Sequence, residues 1–85
     1  MHAEFIVKSC FSLPGLGVIV SGEVTFGNIK EGAQGKSPSG KLVTVVRMDN
    51  QGAKVQIARV KDKVNIVMKG INVSDVRAGM AINFF

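Results

Sequence analysis

The chain has 85 residues, with 11 lysines and arginines against 6 acids, a net charge of +5 and a pI near 9.8. That length sets one domain with a modest core, because a chain of this size buries only about 60% of its unfolded surface. A hydrophobic content of 46% excludes disorder, a single cysteine excludes an internal disulfide, and no run approaches the roughly 18 apolar residues of a membrane-spanning helix.

Taken in chain order, alternation of apolar and polar residues predicts strands almost throughout. Over 4–11, Phe5, Val7, Ser9 and Phe11 take one face and Ile6, Lys8 and Cys10 the other. Cys10 reads as a small, half-buried hydrophobe. Residues 13–17 (Leu-Pro-Gly-Leu-Gly) turn the chain. The second strand covers 18–26, with Val18, Val20, Gly22 and Val24 on one face. Gly22 inside it predicts a bulge, a barrel corner or a close backbone approach. Residues 27–32 form a glycine-bounded turn, and 33–40 (AQGKSPSG) read as loop. Over 41–48, Leu42, Thr44 and Val46 alternate with Val43, Val45 and Arg47. Residues 49–52 signal a hairpin. A strand over 53–60 follows, with Val55 and Ile57 on one face, and Asp62 breaks it. Val64, Ile66 and Met68 define another strand. Residues 74–77 predict one helical turn capped by Ser74, and 80–85 the last strand. Tryptophan and tyrosine are absent, so the five phenylalanines are expected to supply most of the large core volume. The fold class is all-β: a small barrel of six or seven strands, whose closure leaves no exposed edges, with residues 1–85 as one domain.

Catalytic constellations are missing. Gly35-Lys36-Ser37 ends like a phosphate-binding loop, but Lys30 stands where that motif needs its first glycine, and Ser37-Pro38-Ser39-Gly40 opens no helix. One Cys, one His and six scattered acids supply no metal cluster. No enzyme activity, cofactor or metal is expected. The start of the chain has no apolar stretch after a basic one, so the cytoplasm is the expected location.

The positive balance points to an anionic partner. Arg59, Lys61 and Lys63 would share a face if one strand ran through them, with Lys69 further along and Lys36 and Lys41 flanking the 33–40 loop. Lysines so spaced suit phosphate contacts that are sequence-independent and salt-sensitive. The competing reading is a solvated sheet face, or an edge that lysines guard against aggregation. The phenylalanines are assigned to the core, not to base stacking.

Residues 11–32 (FSLPGLGVIVSGEVTFGNIKEG) resemble the second-domain signature of elongation factor Tu and its counterparts, F-S-I-x-G-x-G-T-V-V-x-G-x-V-x-x-G-x-I-K-x-G. Phe11, Ser12, Gly15, Gly17, Val20, Gly22, Val24, Gly27, Ile29, Lys30 and Gly32 fall on its positions. Downstream, 64–71 (VNIVMKGI) and 75–80 (DVRAGM) resemble the second half of that domain. The resemblance spans nearly the whole chain. It implies a Greek-key barrel of the kind that packs against a GTP-binding domain, helps hold the aminoacyl end of transfer RNA and touches ribosomal RNA. Four departures stand out: Lys8-Ser9 replaces an acidic pair of the aminoacyl pocket, Leu16 replaces a frequent basic residue, the loop between Gly32 and Leu42 is short, and Val60 stands where a glycine is usual. Two functions follow as expectations: a barrel binding transfer RNA or ribosomal RNA, but not DNA, without GTPase activity of its own, or an interaction scaffold docking on a separate GTP-binding or ribonucleoprotein partner.

Overall fold

The computed structural model describes residues 2–85, and every long run of alternation in it is a strand. In chain order these are β1 (Ala3–Leu13), β2 (Gly17–Phe26), β3 (Ile29–Lys30), β4 (Gln34–Lys36), β5 (Leu42–Asn50), β6 (Ala53–Val55), β7 (Ile57–Ala58), β8 (Lys63–Lys69), a 3₁₀ turn η1 (Val73–Asp75), and β9 (Ala81–Phe84). All pairings are antiparallel. The order β4-β9-β1-β2-β8-β5 returns to β4 through the β4–β5 pairing, which closes a six-stranded barrel. Strand β6 extends β5 beyond the barrel, and β3 pairs with β7 as a separate ribbon. The small barrel expected from the sequence is the one that forms.

Its interior holds one side of each strand. Phe5, Val7, Val20, Val24, Val43, Val45, Met48, Ile66, Met68, Ile82 and Phe84 are buried, with Ile29 and Ala58 from the ribbon. Ile71 and Val76 on either side of η1 join the same cluster. Only two phenylalanines lie inside, contrary to the sequence expectation: Phe11, Phe26 and Phe85 are 51%, 52% and 65% exposed. The lumen of a six-stranded barrel is narrow, and β-branched residues and methionine fill it instead.

Besides a register shift between Glu4 and Phe5, bulges at Lys8 and Val46 reset the faces. Val7 pairs with Gly22 and Ser9 with Ser21, so Lys8 is an extra residue in β1. Past it the inward side changes: Ser9 and Phe11 face out, and Cys10 packs against the core with Sγ 3.7 Å from the Val73 and Val76 carbonyl oxygens. In β5 the shift between Val45 and Arg47 makes Val46 the extra residue, so Met48 follows Val43 and Val45 into the core. Gly22 sits where β1 crosses β2 at closest approach, and a Cβ there would overlap the Ile6 carbonyl oxygen.

Three further readings are corrected. The loop-like stretch 33–40 contains β4, whose buried Gly35 lies against Asn83 and Phe84. The strand over 53–60 is broken at Gln56 into β6 and β7. The helical turn runs over 73–75 and starts from Asn72, not Ser74. The Asn72 N–H donates to Asp75 Oδ2 at 2.7 Å.

Candidate nucleic-acid interface

The six cations singled out in the sequence fall into two groups at opposite ends of the barrel. Residues 59–62 are a turn and not a strand, so the expected shared face of Arg59, Lys61 and Lys63 does not exist as a straight run. The Arg59 N–H donates to Asp62 Oδ2 at 2.8 Å, and the Asp62 N–H returns to the Arg59 carbonyl at 2.9 Å. Lys61 holds φ = 75°, a left-handed conformation that glycine adopts without cost. The position that demands a glycine-like backbone is therefore Lys61 and not Val60. The turn still gathers the three cations, because it leads straight into Lys63, the first residue of β8. Arg59, Lys61 and Lys63 are all exposed.

Lys69 ends the same strand. Six residues at about 3.3 Å each put it about 20 Å from Lys63, across most of a molecule measuring 27 × 25 × 22 Å. Lys36 and Lys41 join Lys69 at that far end: Lys36 is paired with Leu42, Lys69 with Thr44. Lys41 is not free for a phosphate. Its Nζ lies 3.1 Å from Asp75 Oδ2, while Ser39 Oγ donates to the other carboxylate oxygen at 3.3 Å. The Asn72 N–H bond, and then Lys41, hold the Asp75 carboxyl below its ordinary value of 3.8.

The outer face of β1-β2-β8-β5 carries what the sequence reading missed. Lys8, projected outward at its bulge, lines a groove with Ser21, Gln51, Lys63 and Asn65. Ser21 Oγ donates to Asn65 Oδ1, and Asn65 Nδ2 donates to Asp49 Oδ1 at 3.0 Å, so one polar row crosses β2, β8 and β5. The next row reads Phe11, Ile19, Val67 and Arg47. Its first three members form an apolar strip ending at an arginine, with Lys69 one row further on. Glu23 is the cross-strand neighbour of Lys63 and the one acid beside this groove's lysines in the β2–β8 register. Alternation alone turns Lys8 away from Phe5 and Val7 and Asn65 away from Val64 and Ile66; that the two lie beside one groove follows only from the strand register.

No protein-family model and no curated protein matches the sequence. Solved structures do. A bacterial selenocysteine-specific elongation factor EF-Sec superposes with a TM-score of 0.86 at 26% identity, over 94% of this chain and 14% of that one. The translation elongation factor SelB of Methanococcus maripaludis gives TM-scores of 0.89 in its apo form and 0.88 with the GTP analogue GppNHp, each at 20% identity over 96% of this chain and 18% of that one. The chain thus spans less than a fifth of the proteins it superposes on. Barrel closure, strand order and these superpositions agree with the sequence resemblance, and the chain folds as a β-barrel of the elongation factor Tu second-domain type.

Proposed function

We propose that this barrel serves translation by binding RNA, as transfer RNA or ribosomal RNA, on the outer face of β1-β2-β8-β5. The observation that carries the reading is the placement of Phe11, Ile19 and Val67 as an apolar strip directly beside the Lys8–Lys63 groove. The exposed ring of Phe11, backed by half-buried Ile19 and buried Val67, offers a face for an unstacked base, and flanking cations take its phosphates. The +5 charge supplies the long-range attraction. The chain acts by binding and not by catalysis, in the cytoplasm, and GTP hydrolysis belongs to a separate domain or partner.

The test is a titration of labelled transfer RNA and a ribosomal RNA fragment with the purified chain across a salt series. Micromolar binding that weakens steeply with salt is expected, and Arg59→Glu with Lys63→Glu should flatten the slope by about 0.7 to 0.9 for each phosphate that is no longer neutralised. Binding indifferent to salt and to these substitutions would sink the reading. Absence of binding at low salt would favour the second reading, a scaffold docking on a GTP-binding protein through the exposed Phe11 and Leu16.

A further inference from the structure

On the β3–β7 ribbon we infer a site for the guanidinium of an arginine side chain presented by a partner polypeptide. Two hollows of about 400 and 300 Å³ meet there, and Lys30 and Glu31 line both. Gln56 and Ile57 complete the first, and Asn28 borders the second. Glu31 sits in a pinned turn: the Gly32 N–H donates to the Val45 carbonyl at 2.9 Å, and the Ala33 N–H to the Lys30 carbonyl at 3.1 Å. The Glu31 side chain is 32% exposed, yet its Oε2 is buried and accepts no hydrogen bond. Lys54 Nζ approaches that oxygen only to 3.7 Å, beyond hydrogen-bonding distance. Lys54 is carried on β6, opposite Asp49. Lys30 is exposed and takes part in no ion pair among the described residues.

The unsatisfied oxygen selects the occupant. A carboxylate oxygen withdrawn from water without a donor carries an uncompensated desolvation cost, and a ligand that brings a donor removes it. An ammonium fits poorly, because it is compact and strongly hydrated, and the one already present stops at 3.7 Å. A guanidinium is planar and more weakly hydrated, and it donates two parallel N–H bonds to the two oxygens of one carboxylate. Asn28 and Gln56 supply amide oxygens for its remaining N–H groups, and Ile57 supplies aliphatic surface for the stem. Lys30, one residue from Glu31 and unpaired, calls for an anion beside the arginine. Both hollows are open to solvent, so the ligand must be positioned by contacts beyond them, as a residue of a polypeptide is and a free small molecule is not. The charge pattern therefore fits an arginine next to an aspartate or glutamate.

None of these residues belongs to the proposed RNA face, so the two readings fail separately. The test is a nuclear magnetic resonance titration of the full ¹⁵N-labelled chain with three probes: the capped dipeptide acetyl-Arg-Asp-amide, its lysine counterpart and free arginine. The arginine dipeptide should shift the amide signals of Glu31, Gln56 and Ile57 saturably, with a dissociation constant of about 1 mM. The lysine dipeptide should bind about fivefold more weakly, the loss of one ordinary hydrogen bond, and free arginine should also bind more weakly. Glu31→Gln keeps the side chain's size and should weaken the arginine dipeptide by about tenfold or more. Lys54→Met removes the rival cation and should tighten it about two- to fivefold, an effect that a merely structural Lys54–Glu31 pair would not produce. Circular dichroism melting confirms that both variants fold. The site is overturned if the arginine dipeptide leaves these three amides unmoved, if the lysine dipeptide binds equally well, if Glu31→Gln binds normally, or if Lys54→Met weakens binding. Free arginine binding as tightly as the dipeptide would overturn the polypeptide as occupant.

Discussion

The Lys61 N–H donates to the Val24 carbonyl at 2.8 Å, and the Val24 N–H donates back past it to the Asp62 carbonyl at 3.0 Å. This pair of bonds continues the β2–β8 ladder into the 59–62 turn and fixes the direction in which Arg59 and Lys63 project. The ladder holds Lys61 in the left-handed region, where a Cβ costs about 1–2 kcal/mol.

Lys61→Gly relieves that cost and gives back part of it as unfolded-state entropy. The variant should be more stable by about 0.5–1 kcal/mol, read as a higher urea midpoint at constant slope. Its affinity for RNA should fall at the same time, because one cation leaves the turn. Equal stability of Lys61→Gly and Lys61→Ala would contradict the left-handed assignment.

Gly22→Ala places a methyl against the Ile6 carbonyl oxygen and the Phe5 ring. Neither backbone can move without shearing β1 from β2, so the substitution should cost about 1–3 kcal/mol. Gly32→Ala is the control: its Cβ would meet no neighbour, and only the φ of 83° opposes it. Urea melts of both variants distinguish steric overlap from backbone strain, and Gly22→Ala should be the worse of the two.

Asp75 anchors the Lys41 loop to η1, and its pH response has a defined sign. The folded carboxyl is held below 3.8, first by the Asn72 N–H and then by Lys41. Its stabilising contribution is therefore complete above 3.8 and disappears as pH falls through the lowered folded value. Asp75→Asn should melt below the parent at neutral pH, and the difference should shrink as pH drops under 3.8. A gap that persists unchanged at the acid end would mean that shape, and not charge, is what Asp75 supplies.

Phe5→Ala removes one of the two buried phenylalanines and should cost about 3–5 kcal/mol, enough to unfold much of a domain this small. Phe11→Ala, on the exposed strip, should leave the melt within about 0.5 kcal/mol of the parent and act on RNA affinity alone.

The fold was legible wherever alternation ran unbroken. The β2 face of Val18, Val20, Gly22 and Val24 and the β8 face of Val64, Ile66 and Met68 are buried as read. Alternation fails where the chain inserts a residue. Lys8 and Val46 each shift the register by one, and no local property of lysine or valine announces a bulge. Strand β4 was hidden for a different reason: its inward residue is Gly35, which offers no hydrophobic signal, and its place is set by contact with Phe84 far along the chain. Sequence shows which cations the chain carries, but the grouping of Lys8 with Lys63, and the ion pair of Lys41 with Asp75, depend on long-range register that sequence spacing does not encode.

The pairing of β1 with β9 also sets an order of events during synthesis. Residues 3–6 find their partners at 81–84, the last strand of the barrel to leave the ribosome, and β4 waits for the same strand. The nascent chain must carry two unpaired sheet edges until that moment, which makes folding slow for its length and leaves the open intermediate, more than the finished barrel, as the species that needs shielding from aggregation.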